Sequence, residues 1–180
     1  MKKIIVLLLL ITAFYSCERD DICPASTPTT PHLYIKFFDV NETDEIKKIT
    51  KLLIQGLDND NNGLELYNYV SLADSIGLPL RTIDNDDDPL NGITTKFLLH
   101  KNYEIDDNDS ILGNPDIISI NYTTEDVYVS RACGYKTIFI DVEIELEVDV
   151  DNDNWIESIQ KIEEPLIIVD ETVSHVKITH

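Results

Sequence analysis

The run from Lys136 to Val150 constrains this chain more than any other stretch. Ile138, Ile140, Val142, Ile144, Leu146, Val148 and Val150 fill its even positions, and Asp141, Glu143, Glu145, Glu147 and Asp149 fill odd ones. Strand side chains alternate between faces, so the pattern predicts a β-strand with an aliphatic row on one face and an acidic row on the other. A helix would scatter both rows around its axis. Extended at about 3.3 Å per residue, the run spans roughly 45 Å, which calls for a bend or bulge along it. The rest of the chain has to cover the aliphatic row, and that requires a layered β architecture. The acidic row would repel itself if left alone. Lys96, Lys161 and Lys177 fall in candidate neighbouring strands and are expected to face it.

The remaining segments suit such an architecture. Leu33 to Phe38 reads as the first strand, with Leu33, Ile35 and Phe37 on one face. Thr50 to Leu57 reads as a second, Leu53 and Leu57 being its stronger apolar side. Leu64 to Val70 reads equally well as a short helix or a strand. Asp74 to Leu80 has the character of an edge strand, because Pro79 cannot donate to a ladder. Further strands are expected at 94–100, 117–122, 127–130, 155–162, 166–169 and 175–179. Thr123 to Asp126 is expected to turn, and Asp106 to Pro115 to form a loop. There is no βαβ rhythm, no sustained period of 3.6 and no internal repeat. The expected fold is all-β: one antiparallel two-layer β-sandwich, immunoglobulin-like or related, of about seven to nine strands over residues 32–180.

The N-terminus carries a targeting signal. Lys2 and Lys3 precede an apolar segment from Ile4 to Ile11, and Ser16 precedes Cys17. Residues 1–16 read as a secretory leader, too short for a transmembrane span. A cysteine directly after the apolar segment resembles a bacterial lipobox, although Phe14 and Tyr15 depart from its usual residues. Cleavage would leave Cys17 as the acylated first residue of the mature protein, with membrane attachment supplied by the lipid. Residues 17–31 then form anchor and linker, Pro24, Pro28 and Pro31 favouring extended chain. An exported chain matures in an oxidising compartment, so the two other cysteines, Cys23 and Cys133, suggest one bridge; two free thiols are the alternative. A bridge would pin the linker to the domain and leave residues 18–22 as the free tether, reaching at most about 17 Å.

Charge excludes one class of partner. Fourteen basic residues face 34 acidic ones, for a net charge of −20. No basic patch survives that balance, so nucleic acid is not an expected partner. Candidate chemistry is sparse. Asp58, Asp60 and Asn62, with Gly63 following, begin like a calcium loop, but Tyr69 stands where the bidentate glutamate belongs. Asn and Asp also make turns without metal. Asp84, Asp86, Asp87, Asp88, Asp151 and Asp153 add ligands only if their loops share one end of the sandwich. His32, His100, His175 and His180 have no ligand-type neighbour at metal spacing. There is no Gly-x-Ser-x-Gly elbow and no glycine-rich phosphate loop, so no catalytic residue is assigned and enzymatic activity is not expected. Arg131 is expected to form a structural ion pair. Trp155, Tyr128 and Tyr135 fit either core packing or an aromatic sugar platform.

Several stretches together resemble one known group. They are Asp20-Asp21-Ile22-Cys23-Pro24, the Thr-Pro segment after it, the block from Asp74 to Leu80, Val129-Ser130-Arg131-Ala132-Cys133-Gly134-Tyr135-Lys136, and His175-Val176-Lys177-Ile178. The combination resembles a family of Bacteroidota envelope lipoproteins that share a domain of unknown function, over nearly the whole chain after Cys17. The resemblance implies an all-β envelope lipoprotein with no assigned activity, and its pattern includes both Cys23 and Cys133. The acidic insertions at 58–62 and 84–88 depart from it. Glu18-Arg19-Asp20-Asp21 is similar to the surface-export signals of such lipoproteins, which implies the outer membrane, its outward face favoured over the periplasmic one. Ser75 and Ser110 stand in Asp-Ser-Ile triplets similar to an O-glycosylation sequon of that phylum.

The expected function is therefore that of a cell-envelope lipoprotein acting as a non-catalytic interaction or structural module. Its partners are the membrane, through the lipid anchor, and an envelope protein or glycan. No cofactor is expected, calcium being the one candidate. Two alternatives stand beside this: a calcium-assisted surface carbohydrate-binding module, and a structural subunit or assembly factor of an envelope complex. An exposed, unpaired hydrophobic edge strand would favour the last.

Overall fold

A computed structural model describes residues 22–82, 92–147 and 153–180. Among these residues there is no helix, and nine strands form: β1 Leu33–Phe38, β2 Ile49–Leu57, β3 Gly63–Ala73, β4 Ser75–Leu78, β5 Ile93–Ile105, β6 Ile111–Ser130, β7 Gly134–Glu147, β8 Ser158–Lys161 and β9 Val176–Thr179. They make two sheets, of order β4-β1-β9-β8 and β3-β2-β5-β6-β7. The expected all-β sandwich is the observed fold. Pairing is antiparallel except between β1 and β9, which run parallel. The last strand, β9, thus lies inside the smaller sheet, between β1 and β8.

The alternation of β1 works as read: Leu33, Ile35 and Phe37 are fully buried. They join one apolar cluster with Phe97 and Leu99 of β5 and Ile118 and Ile120 of β6. Each such side chain contributes about 1.5–3 kcal/mol through removal of its apolar surface from water. The ambiguous segment at 64–70 is strand, in β3. The block at 74–80 supplies β4, at the edge of the smaller sheet, with Pro79 just past its end.

The organising strand departs from its simple alternation. Phe139 is fully buried, Ile138 and Ile140 are only half-buried, and then Val142 is fully buried. The cause is a β-bulge. Asn121 pairs with Glu143 and Thr123 with Ile140, so Tyr122 stands opposite both Asp141 and Val142. Asp141 takes a left-handed φ of 52°. One extra residue reverses which parity faces the core. Beyond the bulge Val142, Ile144 and Leu146 face the core as read, and before it Phe139 replaces Ile138 and Ile140. Val148, Asp149 and Val150 lie outside the described residues.

β2 also changes parity, without an inserted residue. Ile49, Leu52, Ile54 and Leu57 are buried and Leu53 is not; Lys51, between the odd and even buried positions, has a φ of 48° while the register with β3 runs on unbroken across it. The turn expected at Thr123–Asp126 is absent. β6 continues through it to Ser130, paired with β7. Those residues are polar because they project past the end of β5, whose last partner in β6 is Tyr122. The loop expected at 106–115 closes already at Ser110. Residues 166–169 form no strand, but Ile168 bridges Phe139 and the N–H of Val142 donates to Leu166, which covers the outer edge of β7.

Two of the three lysines meet the acidic row. Lys96 lies 2.8 Å from Glu147, and Lys161 lies 2.7 Å from Glu143. Such exposed pairs are screened by water and add little to stability. Lys177 does not join them. It donates to the Thr43 carbonyl and sits 4.4 Å over the Phe38 ring; β9 is an interior strand of the smaller sheet, whereas Lys161 stands on that sheet's edge strand, β8.

Candidate interaction surfaces

Beyond Tyr122 the β6–β7 hairpin has no β5 beside it and projects as a two-stranded ribbon. Its tip is Arg131-Ala132-Cys133, with Gly134 at a φ of 71°. Cys133 is disulfide-bonded to Cys23, with Cα atoms 4.9 Å apart. The Thr137 N–H donates to Thr30 Oγ1 at 3.1 Å. Residues 23–30 therefore lie along the ribbon and are not a free spacer. Between them and the ribbon runs a groove of about 570 Å³, lined by Thr27, Thr30, Val129, Tyr135 and Lys136 among others. Tyr128 and Tyr135 are cross-strand neighbours, ring centroids 5.5 Å apart in a T-shaped contact. They are 58 % and 68 % exposed, and Ile22 beside the bridge is 78 % exposed. Arg131 is exposed, and among the described residues it forms no ion pair.

The second surface is β3. It pairs with β2 on one side, and among the described residues no strand lies on the other. Its sequence, GLELYNYVSLA, has no proline, no lysine and a single charge, Glu65. Leu64, Tyr69 and Leu72 are about half exposed. Proteins commonly blunt sheet edges by shortness, proline, charge or cover. The other edges are treated in these ways. β4 and β8 have four residues each, and β7 is acidic and covered by residues 166–168. β3, at 11 residues, has none of these devices among the described residues.

Of the residues expected to carry function, Cys17 lies outside the described residues, as do Asp84, Asp86, Asp87, Asp88 and Asp151. Asp58, Asp60 and Asn62 do come together, as a hairpin turn. The Asp58 carboxylate accepts the N–H groups of Asp60 and Asn62 at 2.9 and 2.8 Å and the Asn62 amide at 3.0 Å. These bonds, the Asn62 side chain's first, hold the carboxyl below its ordinary range. Asn61 occupies the left-handed position with a φ of 63°. Its amide oxygen accepts from Lys96 at 2.9 Å, so an ammonium already supplies positive charge there. Tyr69 sits opposite Leu53 within β3.

The same turn is built again at 106–110, where Asp106 accepts from the N–H groups of Asn108 and Ser110 and Asp109 has a φ of 60°. These two turns lie at opposite ends of β5 and its neighbours and do not converge. The Asp153 carbonyl accepts from the Asn114 amide. Among the described residues, no three His, Cys, Asp or Glu side chains are placed to hold a metal. Ser110 is exposed in its turn, whereas Ser75 lies within β4, its hydroxyl 3.0 Å from Asp74.

Trp155 takes the packing role. It is buried, donates its indole N–H to the Leu99 carbonyl at 3.1 Å, and packs against Phe37 and His180. It does not join the exposed tyrosines, so no three-ring platform forms. The histidines are structural. His175 accepts the Tyr34 N–H on Nδ1 at 2.9 Å and donates from Nε2 to the Asp170 carbonyl at 3.0 Å. His180 lies between the Lys101 ammonium, 3.1 Å away, and the Lys47 carbonyl, 3.1 Å away. His100 is buried, with the Leu112 backbone as its hydrogen-bonding neighbour. Burial pushes all three imidazoles below their ordinary value, because the charged form loses hydration. His32 pairs with Glu171, holding that carboxyl down.

Sequence reasoning missed the open edge. Its signal was present: a run from Gly63 to Ala73 without proline or basic residues. Helix–strand ambiguity hid it. No curated protein and no solved structure matches the chain. Residues 51–180, from β2 to the last residue, match the model of a family of unknown function, DUF6452, and the chain belongs to that family.

Proposed function

We propose that the protein is a bacterial cell-envelope lipoprotein, acylated at Cys17, whose sandwich works without catalysis as a docking module for another envelope protein. The observation that supports docking is the β3 edge, 11 residues long, half-apolar and unblocked. A partner's extended segment adds a strand there, with main-chain hydrogen bonds giving affinity and Leu64, Tyr69 and Leu72 giving side-chain contact. The chain's net charge of −20 favours a neutral or basic segment. The role is that of a structural subunit or assembly factor at the outer membrane, facing outward. The leader pattern, the cysteine after it and the acidic residues that follow support the location.

Crosslinked pull-downs from membranes carrying the tagged, acylated protein test the docking edge. Replacing Tyr69 and Leu72 together by lysine should abolish capture of the partner while leaving the melting temperature within a few degrees, because both side chains are half exposed. Capture of the same partner by the double variant refutes the edge. Mass spectrometry of the mature N-terminus tests the anchor separately, and an unmodified Cys17 removes it.

A further inference from the structure

We infer that the tip of the β6–β7 hairpin is a lipid-contacting foot, on which the domain rests against the phospholipid surface that holds its anchor. The inference builds on acylation of Cys17. If Cys17 is the anchored residue, the chain from it to Ile22 is short, and residues 18–22 reach at most about 17 Å. The disulfide ends that tether on Cys133, at the hairpin tip. The tip is therefore held within that reach of the bilayer.

The exposed residues at the tip have the chemistry of a bilayer interface. Tyr128 and Tyr135 present apolar rings ending in hydroxyls, which suits the boundary between acyl chains and headgroups. Ile22 adds an exposed aliphatic side chain beside the bridge. Arg131 offers a guanidinium with no carboxylate partner among the described residues, matched to a headgroup phosphate. The nearest acidic residues of the ribbon, Glu125 and Asp126, sit back from the tip, and Asp126 accepts from the Thr137 hydroxyl at 2.8 Å.

A competing apolar end exists. Ile105, Ile111 and Leu112 are exposed at the β5–β6 hairpin, at the other end of the 20-residue β6. The tether starts at the opposite end of that strand, so this second tip points away from the anchor.

The test uses the full mature, acylated protein reconstituted into phospholipid vesicles with or without brominated acyl chains. Wild type, in which the buried Trp155 is the one tryptophan, supplies the background. Tyr135→Trp and, independently, Tyr128→Trp should each lose at least half of their added emission to brominated lipid. Ile111→Trp should lose less than a tenth. Arg131→Glu in the Tyr135→Trp background should cut the quenching at least twofold in vesicles containing anionic lipid. Equal or greater quenching at Ile111, or none at both tyrosine positions in protein whose Cys17 mass shows the acyl chains, overturns the foot and leaves the lipoprotein reading intact. An unmodified Cys17 overturns both.

Discussion

Replacing Phe139 and Ile140 separately by alanine distinguishes the bulged strand from a simple alternating one. An uninterrupted even row would bury Ile140 and expose position 139. In the bulged strand Phe139 is 0 % exposed and contacts Tyr122 edge to face at 5.2 Å, while Ile140 is only half-buried. Truncating a fully buried phenylalanine costs about 3–5 kcal/mol, from lost transfer energy plus the cavity. Truncating Ile140 removes less buried surface and some strand propensity, about 1–1.5 kcal/mol in all. Val142→Ala, just past the bulge, should cost about 1.5–2.5 kcal/mol because that side chain is fully buried. Deleting Asp141 removes the extra residue and joins Ile140 to Val142 in one unbulged ladder, in which Phe139, Val142 and Ile144 all still face the core, so the chain should still fold cooperatively. Urea unfolding under oxidising conditions, followed by Trp155 emission, reads these differences at constant slope. Ile140→Ala costing as much as Phe139→Ala would refute the phase reversal.

Three further outcomes are expected. Asp141→Gly should stabilise the fold by up to about 1 kcal/mol in the same urea assay, since glycine takes the left-handed φ without a Cβ penalty; a loss above that size would show that the aspartate side chain supports the bulge. Cys23→Ser, Cys133→Ser and the double variant should lose the same stability, up to about 5 kcal/mol for a sequence separation of 110, and a loss below about 1 kcal/mol would count against the chain-entropy account. On acidification His100, His175 and His180 act together. Their folded values lie below the ordinary 6.5, so the unfolded chain binds protons first; their contribution is full above pH 6.5 and is lost as pH falls from there through the folded values. Urea midpoints that stay flat between pH 7 and pH 5 would contradict this.

How far the chain could be read depended on where phase was kept. β1 has no bulge, and its three core residues were legible as an alternating row. β2 and β7 each carry a non-glycine residue in the left-handed region, Lys51 and Asp141, and nothing in the residue types marks them. In β7 the one-residue insertion leaves the hydrophobic pattern looking regular while reversing its meaning. The stretch at 123–126 misled for another reason. Its polarity reflects solvent on a projecting ribbon and not a turn, and its threonines favour strand. The bridge was legible from cysteine number and the leader-like pattern of the first residues, which led to the expectation of an oxidising compartment. The exposed tyrosine pair and the open edge were not, because exposure depends on which strands end first and which strand has one neighbour.

The position of β9 governs when the molecule can finish assembling. The smaller sheet takes its second interior strand from Val176–Thr179, within five residues of the carboxyl end. A polypeptide made from its amino end delivers those residues after the other eight described strands. Until they emerge, β1 has nothing to bind on that side and β8 has no companion at all, so the two layers cannot close over each other. Removing β9 should therefore leave β1 and β8 unjoined and the smaller sheet unformed.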